Sequence, residues 1–209
     1  MKHEWRKKEK KLYLPKNRPE LIDVPEQQFL TIEGEGNPND TIFQEYIGVL
    51  YALSYAIKMT LKRGSEVPGY YDYTVYPLEG IWDITEEAKK RFKGTIDRNS
   101  LIFKLMIRQP DFVNEFIIEE IRAFTKKKKP DTLLEEVKFE KIADGHCVQM
   151  MHLGSYDNEA ESFETMETFA EKENLLRTSK VHREIYLSDF RKVAPEKLKT
   201  VLRFKVTNS

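Results

Sequence analysis

Between residues 28 and 207 one order of hydrophobic patterns runs through the chain twice, and this constrains the fold more than any single motif. QFLTIEG (28–34) alternates as a strand does, and the turn-rich GNPND (36–40) follows it. From 41 to 62 the residues Phe43, Ile47, Leu50, Ser54, Ile57 and Leu61 recur at steps of three and four, which predicts an amphipathic helix. β-like runs follow at YYDYTVYPLEGIWDI (70–84) and SLIFKLMIRQ (100–109). A helix after Pro110-Asp111, spanning about 111–128, and a Lys/Pro-rich linker at 126–132 interrupt the order, which then returns. HCVQMMHLG (146–154) reads as a strand. YDNEAESFETMETFAEKE (156–173) reads as a helix, opened by an Asn158/Glu161 capping box and striped by Phe163, Met166 and Phe169. VHREIYLSD (181–189) and TVLRFKVT (200–207) close the second round. The expected fold is α+β. It is a single domain of tandem β-α-β-β repeats (about 28–108 and 146–207) related by a pseudo-twofold, with the 111–128 helix as an addition. Helices would cover one face of the antiparallel sheets, leaving the other for a ligand cleft.

Charge and composition exclude several function classes. Lys+Arg and Asp+Glu balance at 35 each, so no net field favours nucleic acid or anionic lipid. RKKEKK (6–11) reads as a solvated, frayed terminus, and KKKK (126–129) as the basic end of a helix, where the macrodipole favours cations. The N-terminus has no apolar stretch of a secretory signal, and no run suits a membrane span. The single Cys147 fits a reducing, cytoplasmic setting. His3, His146, His152 and His182 lack metal-ligand spacing. Neither a nucleophile elbow nor a phosphate-cradling glycine loop is present, so no metal or cofactor is expected.

The last repeat carries an unusual strand, HREIYLSDF (182–190). With a period of two, His182, Glu184, Tyr186 and Ser188 share one face, while Ile185 and Leu187 form an ordinary apolar face suited to packing on helices. Overlaying the repeats sets Gly80-Ile81-Trp82 against Glu184-Ile185-Tyr186. The Glu184/Tyr186 face then becomes the cleft, with Trp82 looking in from the opposing half. A carboxylate among rings is either a solvated strand residue or the anionic floor of a pocket. Other groups have two readings as well. His152 suits a hydrogen-bonded core histidine or a ligand contact, and the facing of Glu79, before Gly80, is open.

PLEGIW (77–82), MIRQPDF (106–112), CVQMMHLGSYDNE (147–159) and HREIYLSDFRKVAPEKLKTVLRF (182–204), together with TIEGEGNPND (31–40), resemble the GyrI-like small-molecule-binding family, in order and over nearly the whole chain. The resemblance implies the tandem fold of the effector domains of multidrug-responsive regulators and of DNA gyrase inhibitory protein. There a glutamate of an E-x-Y strand, matched by Glu184 and Tyr186, receives planar lipophilic cations. It also implies an affinity with stand-alone members assigned hydrolysis of the strained cyclopropane in DNA-alkylating natural products; Trp82 and Glu184 carry over for that activity. The chain departs from the family pattern at Arg183 (often His), Phe190 (often Pro) and Asp83 (often aromatic).

Two function classes follow. In one, an enzyme hydrolyses electrophilic lipophilic toxins, with Glu184 as general base, Tyr186, Tyr156 or Tyr71 as hydroxyl donor, and Trp82 as ring wall; His152, His182 and Glu79 complete the candidate ligand-binding set. In the other, a non-enzymatic drug sink or sensor acts through a partner such as gyrase or a transcription regulator. No helix-turn-helix pattern precedes residue 28, so direct DNA binding is not expected.

Overall fold

The computed structural model describes residues 2–64, 67–128 and 131–208. In chain order the elements are α1 (Trp5–Lys8), α2 (Lys10–Tyr13), β1 (Glu20–Val24), β2 (Gln27–Glu35), α3 (Thr41–Lys62), β3 (Leu78–Ile84), α4 (Glu86–Arg91), β4 (Leu101–Gln109), α5 (Glu115–Lys128), β5 (Lys138–Ile142), β6 (Gly145–Leu153), α6 (Glu159–Lys172), β7 (Leu175–Arg177), β8 (His182–Tyr186) and β9 (Lys199–Asn208). The architecture is α+β, and the strand ladders described below are all antiparallel. The chain groups into two compact units. One comprises Met1–Glu4, Gln27–Leu78 and Ile84–Ile142; the other comprises Trp5–Glu26, Glu79–Asp83 and Ala143–Ser209.

In the first unit β2 pairs with β4 on one side and β5 on the other. α3 buries the stripe that its spacing predicts, Phe43 through Leu61, and Ser54 within it accepts from Gln109 Nε2 of β4 at 3.2 Å. The run 70–77 is not strand. Tyr70, Tyr71 and Tyr73 instead pack their rings around Phe112, with centroids 5.3, 4.9 and 5.9 Å away, and β3 begins only at Leu78. α5 begins at Glu115 rather than 111, where Asn114 Oδ1 accepts the Ile117 amide. Lys126–Lys128 close this helix, while Lys129 lies outside the described residues.

In the second unit the strands lie in the order β1-β6-β9-β8-β3, with β7 also on β9. One sheet face carries Val148, Met150, Leu202 and Phe204, packed against Met166 and Ala170 of α6. The register places Leu202 opposite Glu184, and Glu184 opposite Gly80, so the Glu184 face is the face that α6 covers. This corrects the expectation that helices would take the Ile185/Leu187 face and leave the Glu184 face to a separate cleft. The opposite face is covered by the N-terminal segment. Ile22, Val24 and Cys147 pack there with Leu12, Gln149 donates to Lys11 O (2.8 Å), and Arg203 donates to Leu12 O (2.8 Å). The basic run at 6–11 is therefore not a frayed end. Trp5 and Tyr13 flank it, are buried, and meet with their rings tilted at 5.2 Å, while the lysines face outwards. Apolar anchors outside the charged run supply the burial that the run lacks.

Candidate functional site

The site is built where β8, β3 and the first turn of α6 meet in the second unit. β8 presents His182, Glu184 and Tyr186 on one face, as the period of two predicts. β3, antiparallel to it, sets Gly80 opposite Glu184 and Trp82 opposite His182. Trp82 thus stands on the adjacent strand of the same sheet, not on an opposing half. Its indole folds back over Gly80: a Cβ there would lie 2.7 Å from Trp82 Nε1 and 3.2 Å from the Tyr186 hydroxyl. The missing side chain at position 80 is what lets Trp82 Nε1 donate to Tyr186 Oη at 2.7 Å. The Tyr186 hydroxyl lies within reach of the Glu184 charge, and Tyr156 meets the Tyr186 ring edge-on at 6.0 Å.

A second carboxyl group joins from α6. Glu159, the first residue of the helix, is 9% exposed, against 8% for Glu184, and it lies within reach of the Glu184 charge. Burial, then the Glu184 charge, hold the Glu159 carboxyl well above the usual carboxylate range. The same two causes push the Tyr156 hydroxyl up to about 12. Tyr186 is raised well above its ordinary value by desolvation and by Glu184, against the opposing bond from Trp82. The unit is a carboxyl–carboxylate pair flanked by neutral hydroxyls and an indole.

Family comparison fits this geometry. Residues 18–207 match the GyrI-like small molecule binding domain. The chain belongs to the GyrI-like family. A solved hydrolase from Listeria innocua is 39% identical, with 98% of this chain and 100% of that chain aligned and a TM-score of 0.88. A hydrolase encoded by lin2189 from Listeria innocua is 40% identical, covering 99% and 100%, with a TM-score of 0.89. The C-terminal domain of EcmrR shares the fold at 14% identity, covering 92% and 98% with a TM-score of 0.57. No curated protein matches the chain.

Not every residue expected at the GyrI-like site is brought to Glu184. His182 is there: its Nε2 lies 3.1 Å from Glu184 Oε1, its Nδ1 3.2 Å from Lys180 O, and its ring meets Phe163 at 4.7 Å. His152 is a support beneath the site. Its Nδ1 lies 2.9 Å from Ser162 Oγ and its Nε2 3.0 Å from Ser155 O, which makes Nε2 the donor to that carbonyl and ties down the turn carrying Tyr156. That turn is closed by Ser155 Oγ, which accepts the Asp157 amide at 3.3 Å. The expected Asn158/Glu161 capping box does not form, because Asn158 makes no side-chain cap bond. Glu79 faces the other side of the sheet, where Arg183 Nη1 donates to it at 3.0 Å. Tyr71 lies in the first unit, against Phe112 and 5.3 Å from the His3 ring. Among the described residues there is no cluster of three or more metal-ligating side chains, and no helix long and apolar enough to cross a membrane. Glu159 is the residue that sequence reasoning missed. An acidic residue in the first turn of a helix is ordinary, and nothing local marks this one as buried.

Proposed function

We propose that this GyrI-like protein is a cytoplasmic, cofactor-independent hydrolase of planar lipophilic electrophiles, with cyclopropane-bearing DNA alkylators as the candidate substrate. The observation that carries the reading is the Glu184–Glu159 pair, withdrawn from water and walled by Trp82, Tyr186 and Tyr156. The similar Listeria innocua structures described as hydrolases support the reaction class. Residues 28–108 and 146–207 as pseudo-twofold β-α-β-β repeats belong to the same proposal.

In the proposed reaction Glu184 takes a proton from water, and the water oxygen bonds the strained ring carbon. The ring C–C bond breaks, and its electron pair passes through the conjugated system to the carbonyl oxygen. That oxygen takes a proton from Tyr156, whose hydroxyl is neutral at physiological pH. The proton gained by Glu184 restores Tyr156, so one water is added overall. Tyr186 is a positioning group in this scheme, since its hydroxyl accepts from Trp82 beside the Glu184 charge. Expected carbonyl donors narrow accordingly to Tyr156.

The test is mass-spectrometric detection of a water adduct from a cyclopropane-bearing alkylator. Wild type should produce it, and Glu184→Gln should lose roughly 10²–10⁴-fold in turnover at saturation. Trp82→Ala should raise KM first, because a lost stacking wall acts on binding. Binding without product above background would overturn the hydrolase reading and leave the second one, a sink or sensor for lipophilic cations. The partly desolvated negative charge at Glu184 favours that reading.

A further inference from the structure

Glu159 occupies a place that a purely structural carboxyl group would not. It is buried, it lies under the influence of the Glu184 charge, and its Oε1 has no hydrogen-bond partner. A neutral acid there costs less desolvation than a second anion. It also sits at the N-terminus of the fourteen-residue α6, whose macrodipole stabilises negative charge. The acid is therefore held neutral by the burial and by Glu184, against a helix end that favours its anion. An incoming positive charge would tip that balance.

Resting on the view that Glu184 receives cations, we propose that Glu159 is a specificity-determining proton store: it keeps its proton while the site is empty and surrenders it when a cationic ligand arrives. The site then presents one negative charge to neutral ligands and gains a second when a cation binds. Affinity for a cation should rise with pH through the titration of unliganded Glu159, by up to tenfold per pH unit for one proton released. Affinity for a neutral ligand should not rise.

The other titratable groups around the pair are few. β8 brings His182 and Tyr186, the turn before α6 brings Tyr156 and Asp157, and Asp189 follows β8, engaged by Arg191 (2.8 Å) and Lys192 (3.6 Å). On the same face β3 offers Gly80 and Trp82, β9 offers Thr200 and Leu202, and β6 offers His152, held by two bonds. His182 serves as the control, its Nε2 3.1 Å from Glu184 Oε1 and its Nδ1 3.2 Å from Lys180 O.

The experiment is isothermal titration calorimetry of N-methylacridinium and of its uncharged carbon isostere, methylanthracene. Buffers of different ionisation enthalpy, from pH ~5 to ~8, count the protons released. Wild type should release close to one proton per cation at the pH of maximal release, and none for the isostere. Glu159→Gln has the same shape without a titrating proton; it should still bind the cation but release almost none and lose the pH slope. His182→Gln should retain the release. Undiminished release in Glu159→Gln, or loss of release in His182→Gln alone, would overturn the assignment. So would a wild type that prefers the cation yet releases no proton. Equal affinity for cation and isostere would instead strike the underlying cation-site reading, and the assignment with it.

Discussion

At Gly80 the smallest side chain determines where the largest one goes. With a hydrogen in place of a Cβ, the Trp82 indole reaches back to the Tyr186 hydroxyl, which stands beside the Glu184 charge. Gly80→Ala should push the indole off this bond at a stability cost of about 1–3 kcal/mol, the range for overpacking a buried position. Red-shifted tryptophan fluorescence with weakened cation binding would report the displacement; an unchanged spectrum would mean that the strand yields instead. The site was partly legible in the sequence for the same local reason. Glu184 and Tyr186 are two apart on one strand, and a period of two puts them together without tertiary information. Glu159 was not legible, because its meeting with Glu184 depends on how α6 crosses the sheet. Glu79 shows the converse: its strand was recognisable, yet its side was settled only by the pairing of Glu79 with Ile185.

At the scale of elements, long periodic segments were readable and short edges were not. α3 runs over the 41–62 that its spacing predicts, since six apolar or small residues along a single stripe leave no alternative burial. β5, KFEKI, has three charged residues among its five at a sheet edge, and β7 is three residues long; both owe their existence to a neighbouring strand rather than to their own composition. The N-terminal elements were missed because a lysine-rich run hides two buried rings. They cover a polar layer on the sheet. There Arg183 donates to Glu79 (3.0 Å) and Asp144 (3.1 Å), and Arg203 donates to Gln149 (2.8 Å). Removing one partner from such a layer strands a buried charge. Asp144→Ala should therefore destabilise the protein by about 3–5 kcal/mol, read from urea midpoints. Breaking the exposed 2.8 Å Lys89–Glu86 pair of α4 by Lys89→Ala should cost less than about 1 kcal/mol. Similar midpoints for the two variants would show that the polar layer is open to water.

For the whole molecule these groups set two opposing pH dependences of stability. Several carboxyls are held below their ordinary values. Hydrogen bonds from Lys138 and Lys104 act on Glu33, and the bond from Arg191 takes Asp189 to about 2. At Glu140 and Glu167 burial opposes the shift but is outweighed by bonds from Thr31 and Lys104, and from Lys180 and Arg177. Their contribution is present above the unfolded carboxyl values and is lost as pH falls through the folded ones. Glu159 runs the other way. Its folded value is raised, so its contribution is complete below the ordinary 4.5 and is lost as pH rises from there through the folded value. A glutamine at 159 cannot titrate, so the stability of Glu159→Gln relative to wild type should climb across that window and then level off. Calorimetric melting of both proteins from pH ~4 to ~8 measures the difference directly, and the carboxylates common to both cancel in it. Parallel curves would mean that Glu159 titrates alike in the folded and unfolded chains.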